Sequence, residues 1–587
     1  MFRLLSRFAL FLAVTTLAVN AGARAQTATA SAESTEHLAL QQGQEALQNG
    51  DIAGARTELE KAVSLAPNDA EAQSALGWVL AQQGEADAAV EHLHAAIKAK
   101  PEFVEPRLTL AGVMSQQGKS AEAEQEARAA ESIAPENAEA HRMLAKILSS
   151  RPGDEGLSEM RRAVELAPER ADLRDELGTI RAQRNQFADA EVSYKEALRL
   201  QPNLEPAHFH LGVVYLQGQR LDEAAAELAK AVELAPPDAA AHYYLAKTLT
   251  AQSRNAEALQ ELRKAAALKP DWGEMQVELG IACQHAGDND GAVAAFGAAV
   301  KLRPQDPEAY NDLGLALLQK GDAVGSIPNF KTAAQLRPED GTFRGNLAIA
   351  YLQRADFDSA ITELQAALKL TPENASLHYN LGLAYKLKDQ LDQAVPEFQT
   401  AIRLQPDLAD AHYTLGVLFW QSGEFDKATA ELQAAIQNQP NYAEAHYTLG
   451  TVLKQQGKLP EAATALREAI RLQPDFAGAH TTLAAVLRQL GDAQGAAAEA
   501  KAGAKIAAAT NNLQAATFST NSGKRLLAAG DVDGAITQFR SAISSEPNYA
   551  AAHYQLGLAL SRQGHSDEAT KEFQRAGELD PHLIMPR

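Results

Sequence analysis

From Ala375 onward, apolar side chains fall in a fixed rhythm. With Ala375 as position 1, Leu381, Gly382 and Tyr385 take positions 7, 8 and 11. Ala394, Phe398 and Ala401 take positions 20, 24 and 27, and Pro406 takes position 32. The set returns 34 residues later as Leu415, Gly416, Phe419, Ala428, Leu432, Ala435 and Pro440. It returns again as Leu449, Gly450, Leu453, Ala462, Leu466, Ala469 and Pro474. At 100° per residue, positions 4, 7, 8 and 11 share one helical face, and positions 20, 24 and 27 share the face of a second helix. A breaker near position 15 divides them. It is Gly287, Gly321, Gly423 or Gly457 in different copies, and glycine accepts the left-handed conformation that ends a helix. Proline at position 32 stops the second helix. Each period therefore predicts a helical hairpin. Small residues at positions 8 and 20 allow the two arms to cross at about 8–10 Å. One hairpin cannot cover its own apolar face, so neighbours must stack on it.

The punctuating prolines run from Pro67 to Pro474 in steps of 34, except for one step of 33 from Pro135 to Pro168. That copy carries Arg151-Pro152-Gly153 where its turn belongs. After Pro474 one more unit follows, with His480, Leu483, Ala496 and Gly503, but Ala508 stands where proline is due. Pro547 and Pro581 close two last units. The expected organisation is a linker over residues 26–34, about fourteen repeats over 35–508, and a C-terminal pair over 509–587. The five extra residues near Thr510-Asn511-Asn512 are expected to kink the stack.

The period, the Leu-Gly-x2-Tyr and Ala-x3-Phe spacings and the closing proline resemble the tetratricopeptide repeat. The resemblance implies an all-α fold, a right-handed superhelical solenoid of about sixteen hairpins. It also implies a protein-binding scaffold whose concave groove is lined by positions 2, 5, 6, 9, 12 and 13. On that reading the groove residues are Tyr379, Tyr413 and Tyr447 at position 5, and Asp312, Asn346, Asn380, Thr414 and Thr448 at position 6. Lys386, Trp420 and Lys454 follow at position 12. Asparagine at position 6 matches the ladder by which some family members grip extended peptide backbones. The alternative is that these tyrosines and asparagines follow the family consensus and pack along the helix.

Aromatic residues make up only 6% of the chain, which suits an alanine-rich helical stack better than a sheet. A formal net charge of −21 opposes nucleic acid and anionic lipid as partners. The single cysteine, Cys283, excludes an intrachain disulfide. It sits at position 11, a core site, where it is expected to pack rather than react. Met1 to Ala25 resembles a secretory signal: Arg3 and Arg7 lead, Phe8 to Val19 is apolar, and Ala23-Arg24-Ala25 is a small-x-small site. Cleavage is expected after Ala25, with the mature chain in the periplasm or secreted; an uncleaved anchor is the alternative.

Motifs for chemistry are scarce. Eight histidines share position 4, among them His378, His412 and His446. Stacked equivalents lie about 10 Å apart, whereas metal–nitrogen bonds need about 2 Å, so no metal ladder is expected. Gly112 to Ser120 resembles a phosphate loop but has five residues between its glycines instead of four, and it lies at a helix–helix turn. The expected protein has no catalytic residue and no cofactor. It is a non-enzymatic scaffold of the cell envelope with a protein or peptide partner, no nucleic acid and no membrane span in the mature chain. Two alternatives are a structural part of an export or polysaccharide-secretion apparatus and the repeat region of an O-linked N-acetylglucosamine transferase. The second lacks the catalytic half, since only six residues follow Pro581.

Overall fold

The computed structural model describes residues 29–149 and 151–583; the expected leader lies outside them. Among the described residues the chain forms thirty-one helices and no strand. It divides into two compact units, one up to Arg303 and one from Pro304. Within each unit a helix packs on its neighbours in sequence and at most on the next but one, as a stack of hairpins requires. Of the expected linker, residues 29–34 belong instead to the helix Thr29–Gln48.

The hairpin Ala409–Gln421 with Phe425–Asn438 shows how the sequence makes the unit. Ala428, Leu432 and Ala435 are wholly buried against the first helix. A Cβ at Gly416 would sit 2.8 Å from Cγ of Leu432, so any larger residue there must push Leu432 aside. Truncating Leu432 to alanine should cost about 2–5 kcal/mol. The turn passes through Gly423 at φ 82. Where the equivalent residue is not glycine the turn keeps the same conformation: Ala355 lies at φ 58, at a strain of roughly 1–2 kcal/mol. Proline ends the second helix through its predecessor, which it pushes out of the α region; Gln439, before Pro440, has φ −133 and ψ 86.

That mechanism explains the one large irregularity. With Ala508 in the proline place, nothing ejects residue 507 from the helix, and Ala493–Ala528 runs on as a single 36-residue element. The five extra residues extend the helix, so it serves as the second arm of one hairpin and the first arm of the next. This restores the expected sixteen hairpins. Side chains from 507 to 515 are exposed on every side. At the 33-residue step the altered turn shortens its hairpin to Ala138–Leu148 and Glu155–Leu166, with Gly153 at φ 110. No helix among the described residues is long and apolar enough to cross a membrane.

The position-4 histidines clamp the stack. In all eight, Nε2 lies 2.9–3.1 Å from the carbonyl oxygen of the proline six residues earlier. In seven, Nδ1 lies 2.5–2.6 Å from a glutamate oxygen on the second helix. His446 is the exception, since Ala465 occupies the glutamate position. Each complete clamp joins both arms of one hairpin to the end of the preceding one. Cys283 is buried at 1% exposure, and burial pushes its thiol pKa up.

Candidate functional site

All eleven candidate residues belong to the second unit, on the first helices of five consecutive hairpins from Pro307–Gln319 to Ala443–Gln455. Their surroundings follow a rule that the linear pattern conceals. The position-6 side chain of one hairpin meets the position-5 side chain of the hairpin before it. Asn346 Nδ2 donates to Asn311 Oδ1 at 2.8 Å, and Asn311 Nδ2 lies 3.5 Å from Asp312 Oδ1. Burial lifts the Asp312 carboxyl above the usual range. Thr414 bonds the hydroxyl of Tyr379, whose pKa burial also raises.

Asn380 has no such answer. The position-5 residue before it is Gly345, which has no side chain to offer. Leu377 fills the space a Gly345 side chain would take, with Cδ2 2.8 Å from where its Cβ would sit. Asn380 is half-buried, and its amide, with two donors and an acceptor, pairs with no neighbouring hairpin.

The aromatic residues are braced from a position that the sequence reading missed. Tyr413 lies 4.9 Å from the ring of Tyr442, and Tyr447 lies 4.7 Å from Phe476. Tyr442 and Phe476 each stand at the cap of the next first helix, with no side-chain capping bond. The signal was available: the cap is Asp306, Asp340 and Asn374 in one run, then Leu408, Tyr442 and Phe476 in the next. Tyr442 also donates its hydroxyl to Asp410 Oδ1 at 3.1 Å. Tyr379 packs on Phe398 at 5.7 Å. Trp420 is half-buried and its Nε1 donates to Gln455 Oε1 at 2.7 Å; Lys386 and Lys454 are half-buried.

Two candidates turn inward. Thr414 and Thr448 are only 6% and 4% exposed, so they are not open to a partner. Thr448 satisfies its hydroxyl on its own helix, at 2.8 Å from Glu444 O. A short hydroxyl that bonds its own backbone can be buried between helices at little cost, whereas Asp312, Asn346 and Asn380 stay half-exposed.

In the first unit the same positions carry ions. Arg142, at position 5, donates to Glu176, at position 6 of the next hairpin, at 2.5 and 2.7 Å, and to Glu139 at 2.7 Å. Arg170, at the cap, reaches Glu139 at 2.9 Å and Asp172 at 2.5 Å. Burial opposes ionisation of Glu139, but Arg142 and Arg170 hold its carboxyl below the usual range.

Family models match over most of the chain. One described as TPR repeat matches residues 284–321, 348–389, 385–423, 418–457, 450–491 and 523–564. Others described as Tetratricopeptide repeat match 40–102, 176–239 and 211–271, then 80–147, then 550–583. No curated protein matches. Among solved structures, a chain of the APC/C hetero-tetramer Cut9-Hcn1 is 15% identical, covering 78% of this chain and 98% of that one, with a TM-score of 0.36. YrrB, described as a TPR protein with an unusual peptide-binding site, is 24% identical over 32% of this chain and 97% of its own, at 0.28. MamA from Desulfovibrio magneticus RS-1 is 22% identical over 29% and 96%, at 0.27.

Proposed function

The chain belongs to the tetratricopeptide-repeat family, and from that premise we propose that it is a non-enzymatic scaffold that holds an extended segment of a partner protein along the first helices from Pro307 to Gln455. The observation that carries this reading is the unanswered amide of Asn380, whose position-5 counterpart in the hairpin before is Gly345, together with Tyr379 and Tyr413, each braced by an aromatic neighbour. An extended backbone offers alternating N–H and C=O groups that an amide can pair with, and held aromatic rings supply contact area at small entropic cost. Lys386 and Lys454 favour a segment that carries carboxylates. The leader-like start supports export, and with it a place in the cell envelope. The working partner is therefore an envelope protein or peptide.

The test is to capture a partner from envelope extract and titrate it against wild type, Asn380→Ala, and the pair Tyr413→Ala with Trp420→Ala, with circular dichroism as a folding control. Weaker binding in both variants supports the reading. Unaltered affinity in all of them places recognition elsewhere on the chain.

A further inference from the structure

Glu131 stands where the repeat puts a hydrocarbon. Its equivalents at position 28 are Ile97, Ile402, Ile436 and Ile470, each packed against the core of its hairpin. The carboxylate there is 30% exposed, and its Oε1 lies 4.0 Å from Nδ1 of His141, whose side chain is 7% exposed. Glu159 Oε2 lies 2.6 Å from the same nitrogen. The three donor atoms fall within 4.8 Å of one another, the one such group among the described residues. They come from three successive helices, Ser120–Ile133, Ala138–Leu148 and Glu155–Leu166. Elsewhere the clamp glutamate follows its histidine by 19 residues; here the shortened turn brings it in after 18.

The charge balance at this clamp differs from that of its sisters. His141 Nε2–H donates to the Pro135 carbonyl at 2.9 Å, which fixes the tautomer and turns Nδ1 toward the acids. A lone pair cannot face a carboxylate at hydrogen-bond distance unless a cation lies between them. In the other clamps one proton serves one glutamate. At His141 two carboxylates face one nitrogen, and neither is paired with lysine or arginine among the described residues. A single proton leaves one negative charge uncompensated at a place built for isoleucine. A divalent ion balances both.

We propose that Glu131, His141 and Glu159 bind a divalent transition-metal ion, with Zn2+ as its first test, and that the ion pins these three helices together. One nitrogen and two carboxylate oxygens are a donor set that zinc accepts at about 2.0–2.2 Å, with water completing the tetrahedron. A histidine ligand whose other N–H is given to a backbone carbonyl is the usual second contact of such a site. The distance between stacked histidines is no obstacle, because only one histidine takes part.

The test uses the full chain stripped with a chelator and titrated with Zn2+ by calorimetry, then with Co2+ by visible absorption. One equivalent of Zn2+ should bind in the micromolar range or tighter, raise the melting temperature, and weaken as pH falls because protons compete for the ligands. Co2+ should give the ligand-field bands of a low-coordinate site. Glu131→Ile restores the residue that the sister hairpins carry. It should fold by circular dichroism and lose that equivalent, while Glu431→Ala at a sister clamp keeps it. Absence of a bound equivalent in wild type, or an undiminished one in Glu131→Ile, overturns the proposal.

Discussion

The junction around Arg142 and the junction around Tyr413 use the same three positions. In both, the residue capping the next helix reaches back to an acid at position 2: Arg170 to Glu139, and Tyr442 to Asp410. In both, the position-5 side chain lies beside it. At Arg142 the charges are consumed internally, since the guanidinium spans Glu139 and Glu176 and the residue is only 9% exposed. At Tyr413 the brace is aromatic and the ring remains half-exposed. One backbone period thus serves two purposes. Ions at these positions tie hairpins to each other, while aromatic and amide groups leave a surface with capacity to spare.

The largest effect expected from breaking this contrast is on stability in the first unit. Arg142→Ala leaves Glu176 and Glu139 without their main cation in a largely buried setting, a loss of about 3 kcal/mol or more. Hydrogen exchange should show faster opening of Ala138–Leu148 and Ala171–Gln183, with binding unaffected. Tyr413→Ala with Trp420→Ala should do the reverse. Partner affinity should fall by about 2 kcal/mol, read by titration, while exchange elsewhere in the second unit stays near wild type.

Asn380→Ala sharpens the comparison at a smaller scale. Because Asn380 makes no bond to a neighbouring hairpin, its loss should weaken binding by about 1 kcal/mol per lost hydrogen bond and leave the melting curve unchanged. Asn346→Ala orphans Asn311 as well, so it should lower stability. Equal behaviour of the two variants would erase the distinction between answered and unanswered amides.

The smallest effect is on pH dependence. The bond from Glu431 raises the pKa of His412, with burial opposing. A raised histidine pKa contributes stability that is complete below the unfolded value of about 6.5 and is lost as pH rises through the folded value. Exchange in Ala409–Gln421, corrected for its intrinsic rate, should therefore quicken over that range, by under about 1 kcal/mol because the Glu431 partner is partly exposed. Glu431→Ala, which copies the arrangement of His446 beside Ala465, should flatten the profile.

The hairpins, their left-handed turns and the glycine crossings were legible because each follows from identity at one position: Gly416, Gly423 and Leu432 sit where the period puts them. The continuous helix Ala493–Ala528 was also written in the sequence, in the missing proline at Ala508. The site was less legible because it depends on pairs from adjacent periods. Asn380 looks like Asn346 on a helical wheel. They differ because the position-5 residue one hairpin earlier is Gly345 for Asn380 and Asn311 for Asn346, and that pairing between hairpins is tertiary. The inward turn of Thr414 and Thr448 is tertiary too: Thr414 is buried where it bonds Tyr379 of the hairpin before, and Thr448 where it bonds its own helix.

The central claim is that the half-exposed face around Asn380 and Tyr413 is where a partner lies. A photo-crosslinking residue in place of Tyr413, in cells that make the protein, tests this directly against the same residue in place of Gln433, which is exposed on the second helix of the same hairpin. A discrete adduct with another protein is expected from position 413 and none from position 433. An adduct from 433 alone would contradict it.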